Sequence, residues 1–287
     1  MEGENEESDN PRSFSKASFL RKFIIFIAGS MMNIIVGVLL MFIIALPKDT
    51  TVTPVINSFD SLCTLQGEGK LQVGDEILEI DGETIYVTND ISMIIALNGG
   101  DTHDFVVLRN GEEVQINDLH MEKHEIEIDG EKYMGYGITF TQEEMTFPMK
   151  LQYAVDNSID TVRNVRLSLQ MLVTGKAGLS DITGPVGIVH TMSEVTESSE
   201  SFGDSVMYIL SFGAFLAINL GVMNLLPIPA LDGGHVVGLV LTAGYEKITK
   251  KKINPKFESY LHGIGMILLL VLMAIIMFKD IFVIFKG

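Results

Sequence analysis

Three long apolar runs separate the polar parts of the chain. They cover residues 23–46, 206–226 and 261–278, and none of them contains Asp, Glu, Lys or Arg. A helix needs roughly 20 consecutive apolar residues to cross the hydrocarbon core of a bilayer, so each run predicts one transmembrane span. The first run is too long for the apolar region of a signal peptide. The pattern therefore predicts a polytopic α-helical membrane protein with three spans in this chain.

Between the first and second runs, residues 52–121 form short alternating segments punctuated by turn residues. Such segments are typical of short strands joined by tight turns. The predicted elements are a turn at Gly74-Asp75, a strand over 77–80, a hairpin at Asp81-Gly82, a helix over 89–98 capped by Asn89 or Asp90, and a strand pair around Asn110-Gly111. Together they predict a small α/β domain inserted between two spans.

The region that follows, residues 122–204, is predicted to hold further strands and one amphipathic helix. Apolar residues recur in it at helical spacing, namely Ala154, Val155, Ile159, Val162, Val165, Leu169 and Leu172. Arg163 and Arg166 lie between them, which predicts a helix packed on the domain or lying at the membrane surface. Residues 194–204 are polar and predict a linker into the second span.

The distribution of charge predicts the orientation in the membrane. The 287-residue chain is 47% hydrophobic with a mean hydropathy of +0.32, and its net charge is −17. Residues 49–204 contain 28 acidic and 8 basic residues, which argues against nucleic-acid binding. Lysine and arginine cluster instead in residues 1–22 and 227–260, so both are predicted to be cytoplasmic loops. Residues 49–204 are then extracytoplasmic, and Asp232 lies near the cytoplasmic face of the cell membrane. The single cysteine, Cys63, excludes an intrachain disulfide.

The sequence NLLPIPALDGGH closes the second apolar run. Pro227 and Pro229 interrupt a helix just before Asp232, and a carboxylate near bilayer depth is costly and indicates a function. Irregular backbone at that depth is tolerated only where it is buried in protein or lines a cavity. Asn219 and Asn224 add hydrogen-bonding groups to the same span. The alternative is a hydrated loop at the interface, and the residues alone leave both interpretations open.

Several stretches resemble the site-2 protease family of intramembrane zinc metalloproteases. AGSMMN, residues 28–33, resembles the family's AGP-x-x-N with Ser30 in place of proline, and DITGPVGIVHT, residues 181–191, resembles the stretch before the next span. GDEILEIDG is similar to a strand of bacterial PDZ domains, which implies an extracytoplasmic PDZ-like domain over residues 52–121. The family signature N-x-x-P-x-P-x-L-D-G is matched by Asn224, Pro227, Pro229, Leu231, Asp232 and Gly233.

The resemblance implies regulated intramembrane proteolysis. The substrate would be a transmembrane protein with a single span, or a signal-peptide remnant, cut within the lipid bilayer. Asp232 would be the third zinc ligand, and Asn219 and Asn224 would hold the substrate strand. Zinc with three protein ligands keeps one position open for a water whose pKa it lowers. His235 is expected to be structural or to support the ligand.

The family's other two zinc ligands belong to an H-E-x-x-H motif, which this chain does not contain. One of three expected protein ligands is therefore present, the catalytic residues are unknown, and this chain alone is expected to be inactive. A truncated chain is favoured over a pseudoenzyme, because Asp232 and its prolines and asparagines all remain. His120 and His124 flank a glutamate in the wrong place for that motif, and they are expected to be solvated.

Two other classes of protein remain open. The first is a catalytically inactive, membrane-anchored PDZ adaptor that binds a peptide by strand addition. The second is a fragment of a transporter, which the broken second span suggests although no internal repeat supports it.

Overall fold

A computed structural model describes residues 17–128, 131–175, 178, 187–188, 201–250 and 255–286. The chain divides into two compact units: the β domain, residues 45–160, and the helical unit, residues 1–44 with 161–287. Most of the stretch 181–191 and of the predicted linker 194–204 lies outside the described residues.

The described helices include three that are long and apolar enough to cross a bilayer, at Phe19–Ala45, Phe202–Asn224 and Tyr260–Phe285. This confirms the prediction of three candidate membrane helices. The helices are α1 (Phe19–Ala45), α2 (Asn89–Asn98), α3 (Phe147–Thr174), α4 (Phe202–Asn224), α5 (Asp232–Thr249) and α6 (Pro255–Lys286). Helix α4 begins inside the predicted linker, because the Ser201 hydroxyl accepts a hydrogen bond from the Asp204 N–H at 3.2 Å and caps it.

Helices α1 and α4 pack closely through small residues. A Cβ atom on Gly37 of α1 would lie 2.3 Å from Ile218 Cγ1, and one on Gly221 of α4 would lie 2.8 Å from the Ser30 carbonyl oxygen. Both distances are too short for any side chain. Membrane helices commonly associate through such small residues, since lipid supplies no hydrophobic force between helices.

Helix α5 lies where the sequence predicted only a loop, residues 227–260. It begins at Asp232 and ends before Lys250, which has φ 57° and donates its N–H to the Glu246 carbonyl at 2.9 Å. The lysines of this region predicted its side of the membrane but not its secondary structure. The region contains no proline between Pro229 and Pro255, so no residue of that type interrupts a helix there.

The β domain is built on an antiparallel sheet in the order β5-β4-β2-β1-β8, with β3 paired to β2. A separate hairpin is formed by β6 and β7. The strands are β1 (Thr50–Phe59), β2 (Glu76–Ile80), β3 (Glu83–Thr84), β4 (Thr102–Arg109), β5 (Glu112–His120), β6 (His124–Ile128), β7 (Glu131–Gly135) and β8 (Ile138–Glu144). Because β8 pairs with β1, the sheet extends beyond the predicted boundary at residue 121.

Two predicted hairpins are present. Asp81 and Gly82 have φ angles of 52° and 78°, and Asn110 and Gly111 have 52° and 86°. Two successive residues with positive φ match the twist of the strands that they join. The predicted turn at Gly74 is also present, with φ 89°.

Helix α2 has the predicted bounds but not the predicted cap. Thr88 occupies the cap position and makes no side-chain capping hydrogen bond. The buried Asp90 carboxylate accepts instead from the N–H groups of Tyr86 at 2.8 Å and Val87 at 2.9 Å, in the segment before the helix. The helical prediction around Ala154 is confirmed by α3, in which Ala154 is fully buried.

The two histidines of His120–His124 end β5 and begin β6, so they do not share a helical face. His120 is exposed, as expected. His124 is partly buried, which corrects the prediction that both are solvated. The reason is the missing side chain of Gly137: a Cβ there would lie 2.7 Å from His124 Cε1.

Candidate functional site

The chain breaks its helical path between α4 and α5. After Asn224, the Leu226 N–H still bonds to Met223 O at 3.1 Å, and the Leu231 N–H closes a turn onto Ile228 O at 3.1 Å. Inside this second turn Ala230 has φ 83°, a conformation that residues with a side chain rarely adopt. We call residues 225–231 the break. Asp232 follows it as the first residue of α5.

The glycine pair after Asp232 allows α5 to fold back against the break. A Cβ on Gly233 would lie 2.3 Å from the carbonyl oxygens of Leu225 and Leu226. A Cβ on Gly234 would lie 2.3 Å from Ile228 O. The sequence Asp-Gly-Gly therefore places a carboxylate at a backbone crossing that no other residue pair fits.

One carboxylate oxygen of Asp232 is held by helix α1. The Ser30 hydroxyl donates to Asp232 Oδ2 at 3.1 Å, and Ser30 is completely buried. In the described part of the chain, the other oxygen, Oδ1, has no hydrogen-bond partner. The carboxylate also lies in the first turn of α5, where the helix dipole favours a negative charge. The site thus holds the carboxylate in place and keeps one oxygen available.

Three aromatic rings stack around His235, which follows Asp232 by three residues. The ring of Phe26 from α1 lies 5.0 Å from that of His235, and His235 from α5 lies 3.7 Å from His262 of α6, with an angle of 6° between the two imidazole planes. His262 Nδ1 also accepts the Ala230 N–H at 2.9 Å. The sequence suggested a supporting role for His235, and the structure adds His262, whose contact with Ala230 spans 32 residues.

Asn219 and Asn224 both lie on α4 and are partly buried. Five residues correspond to about 140° around an α-helix, so the two amides project from different sides of it. Neither side chain makes a hydrogen bond to another described residue. The structure does not bring them together, and their predicted role in substrate binding stays a prediction.

Among the described residues, no group of three or more His, Cys, Asp or Glu side chains lies close enough together to hold a metal ion. Catalytic zinc sites use three protein ligands. Asp232 suits one of these positions because it is an oriented carboxylate with an available oxygen. The described residues therefore do not form a complete zinc site.

Comparison with known proteins places the chain in a family. Residues 1–272 match the family model of Peptidase family M50. A protein of Clostridium acetobutylicum that is named as a zinc metalloprotease is 31% identical over 283 residues, 98% of this chain and 78% of that protein. The chain belongs to the site-2 protease family, peptidase family M50.

Other members of the site-2 protease family are similar over shorter shares of their own length. The zinc metalloprotease RasP of Shouchella clausii is 30% identical over 94% of this chain, which spans 61% of that RasP. The regulator of sigma-W protease RasP of Bacillus subtilis is 30% identical over 75% of this chain and 48% of its own length. The chain is thus a membrane protein of a zinc metalloprotease family, as its motifs predicted.

The β domain has a cleft of its own. A space of about 820 Å³ lies between β1, the segment before α2 and the first half of α3. Asp156 of α3 lines it, and burial raises the pKa of this carboxyl, although a hydrogen bond from Gln152 opposes the rise. Residues 50–55 of β1 line the cleft, and β2 pairs with β1 only at Val55, so residues 50–54 have no strand partner on that side among the described residues.

Proposed function

We propose that this protein acts in regulated intramembrane proteolysis as a zinc-dependent protease, with Asp232 as one zinc ligand. The observation that carries the proposal is the carboxylate of Asp232, held by Ser30 through one oxygen while the other has no partner among the described residues. Zinc bound there would activate a water and polarise the scissile carbonyl. The residues of this chain would orient the Asp232 carboxylate through the hydrogen bond from Ser30.

The proposed substrate is a transmembrane helix that opens locally at the scissile bond. An opened segment exposes N–H and C=O groups, which need partners inside a bilayer. The side-chain amides of Asn219 and Asn224 can each donate and accept hydrogen bonds. They support a role in holding such a strand, since neither is bonded to another described residue.

The experiment is a comparison of Asp232→Asn with a matched control in the protein expressed from its native gene. Asn is nearly isosteric but is a much poorer zinc ligand, so cleavage of a single-span substrate should be abolished while membrane insertion persists. The control is Asp280→Asn on α6, where the carboxylate is also buried and accepts the Gly187 N–H at 2.9 Å. We expect near-normal cleavage in that control. Normal cleavage in Asp232→Asn would refute the proposal.

We further propose that the β domain is extracytoplasmic and that Asp232 is near the cytoplasmic face, from the distribution of lysine and arginine. Cysteines introduced singly at exposed Glu122 and Lys247, with Cys63 changed to Ser, test this orientation. A membrane-impermeant maleimide should label position 122 in intact cells and position 247 only after permeabilisation. The opposite pattern would contradict the orientation.

An inactive membrane-anchored adaptor is the second candidate, and the cleft of the β domain favours it. Strand addition, the mode expected of a PDZ-like domain, would use residues 50–54 of β1, which line the cleft and have no strand partner on the β2 side among the described residues. Peptide binding by the whole chain should then slow amide hydrogen exchange in residues 50–54. Binding with unchanged exchange there would place the peptide elsewhere.

A further inference from the structure

We propose that His262 of α6 is a positioning residue: it fixes the backbone of the break and thereby sets where Asp232 is presented. The inference rests on the proposed function, because it concerns the same carboxylate. It adds a residue from the last membrane helix, which no family motif discussed above includes. The observations that support it concern the backbone of the break, the hydrogen bond to it, and the stacking of rings.

The backbone of the break is held both by its own turn and by a contact from α6. Ala230 has φ 83°, which strains a residue with a Cβ, and the bond from the Leu231 N–H to Ile228 O closes the turn around it. The contact from α6 is the hydrogen bond from the Ala230 N–H to His262 Nδ1 at 2.9 Å. For Nδ1 to accept, the ring proton must lie on Nε2. The imidazole therefore acts as an acceptor for the backbone two residues before Asp232.

A second residue of α6, Gly265, also contacts the break. Gly265 lies three residues after His262, hence on the same face of α6. A Cβ on Gly265 would lie 2.5 Å from the Pro229 carbonyl oxygen. Helix α6 thus approaches Pro229 through a glycine and bonds Ala230 through a histidine. Two adjacent residues of the break are fixed by one helical face.

The orientation of the His262 ring is itself fixed. Its stacking on His235 leaves it few rotations, and His235 is in turn stacked on Phe26. His235 follows Asp232 by three residues in the first turn of α5. The His262 ring therefore contacts the chain on both sides of Asp232: it accepts the Ala230 N–H before it and packs on the His235 ring after it. Displacement of His262 would move both flanks of the carboxylate.

Two substitutions separate the acceptor from the ring. His262→Asn keeps an acceptor at about the position of Nδ1 and loses the stack, whereas His262→Phe keeps a flat ring and loses the acceptor. In the full-length protein, His262→Phe should weaken zinc binding and reduce cleavage by about tenfold or more, the range seen when groups that orient metal ligands are removed. His262→Asn should recover most of both.

A third substitution tests the backbone directly. Glycine adopts φ 83° readily, so Ala230→Gly should restore zinc affinity to the His262→Phe variant. This rescue also separates loss of positioning from misfolding, because removing one methyl group at position 230 would not restore a variant that fails to fold. A double variant no better than His262→Phe alone would overturn the proposal, and so would a His262→Phe variant that equals wild type.

Amide hydrogen exchange over residues 227–232 gives a readout that needs neither zinc nor substrate. We expect faster exchange in His262→Phe than in wild type and His262→Asn, by about tenfold. Equal exchange in all three would overturn the positioning role. If wild-type protein binds no zinc and cleaves nothing, the proposed function fails, whereas this order of exchange rates would still support His262 as the residue that holds the break.

Discussion

Carboxylates of the β domain and the carboxylate at the break have different surroundings. In the β domain, the buried Asp75 accepts from Arg109 Nε at 2.8 Å, from a second Arg109 nitrogen at 2.7 Å and from the Gln72 N–H at 2.8 Å. Asp81 similarly accepts from the Asp104 N–H, the Asn98 amide and the His103 ring. Each of these carboxylates is engaged through both oxygens by the protein itself.

Asp232 is different because its bonding is incomplete. Ser30 engages one oxygen, and the other has no partner in the part of the chain that the structure describes. A partly buried carboxylate without full bonding is costly unless another group completes it. The comparison shows that Asp75 and Asp81 are fully engaged by the protein, whereas Asp232 keeps one oxygen that the proposed metal could use.

The largest effect is expected where a saturated carboxylate loses its partner. Arg109→Met leaves the buried Asp75 without its ion pair and should lower the free energy of unfolding of the β domain by about 3 kcal/mol. Urea unfolding in detergent measures the change. The matched control is Lys132→Met, which removes an exposed ion pair with Glu125 of 2.7 Å and should cost less than about 1 kcal/mol. Equal losses would contradict the distinction between buried and exposed pairs.

At the break, the comparison predicts loss of zinc affinity without loss of stability. Ser30→Ala removes the donor to Asp232 and should weaken zinc binding by about tenfold, since groups that orient metal ligands typically contribute this much. Competition with a chelator measures the affinity. Ser211→Ala on α4 is the control, because its hydroxyl donates within its own helix to Met207 O at 2.8 Å. The interpretation of Ser30 would be wrong if both variants bound zinc as wild type does.

A smaller effect concerns the response of the β domain to acid. Burial would raise the pKa of Asp81, but hydrogen bonds from His103, the Asp104 N–H and Asn98 outweigh it and lower the pKa. A carboxyl with a lowered folded-state pKa stabilises the domain above its unfolded pKa, and this stability is lost as the pH falls through the folded value. Asp81→Asn should therefore flatten the decrease of the urea midpoint below about pH 4.

The pKa of Asp156 is shifted in the opposite direction, so this residue serves as the comparison for Asp81. Burial raises its pKa, so its ionised form costs stability at neutral pH and protonation removes that cost. Asp156→Asn should raise the urea midpoint at pH 7 relative to its value at acidic pH. Parallel pH profiles for the two variants would contradict the assigned directions.

Local sequence was sufficient for the turns of the β domain. Asp81-Gly82 and Asn110-Gly111 form the predicted hairpins because both residues of each pair tolerate positive φ at low cost. The cap of α2 could not be predicted in the same way, because Asp90 reaches back to Tyr86 and Val87 and so acts outside the usual capping geometry.

For the candidate site, the sequence predicts the carboxylate but not the contacts around it. Asp232 is predicted from its proline-rich context and family resemblance, and its role stays a prediction. Its contact with Ser30 joins residues 202 positions apart, and neither periodicity nor composition indicates such a pair. Ser30 stands out in the sequence only because it replaces the family's proline. His262 lies in an apolar run, where its single polar ring was the available signal.

The central claim is that the carboxylate of Asp232 is a zinc ligand. X-ray absorption at the zinc edge, on full-length wild type and Asp232→Asn adjusted to equal zinc content, tests it most directly. We predict that the variant loses one oxygen from the first coordination shell, at about 2.0–2.2 Å in the wild type. An identical first shell in the two proteins would contradict the claim and leave Asp232 as a residue of the break alone.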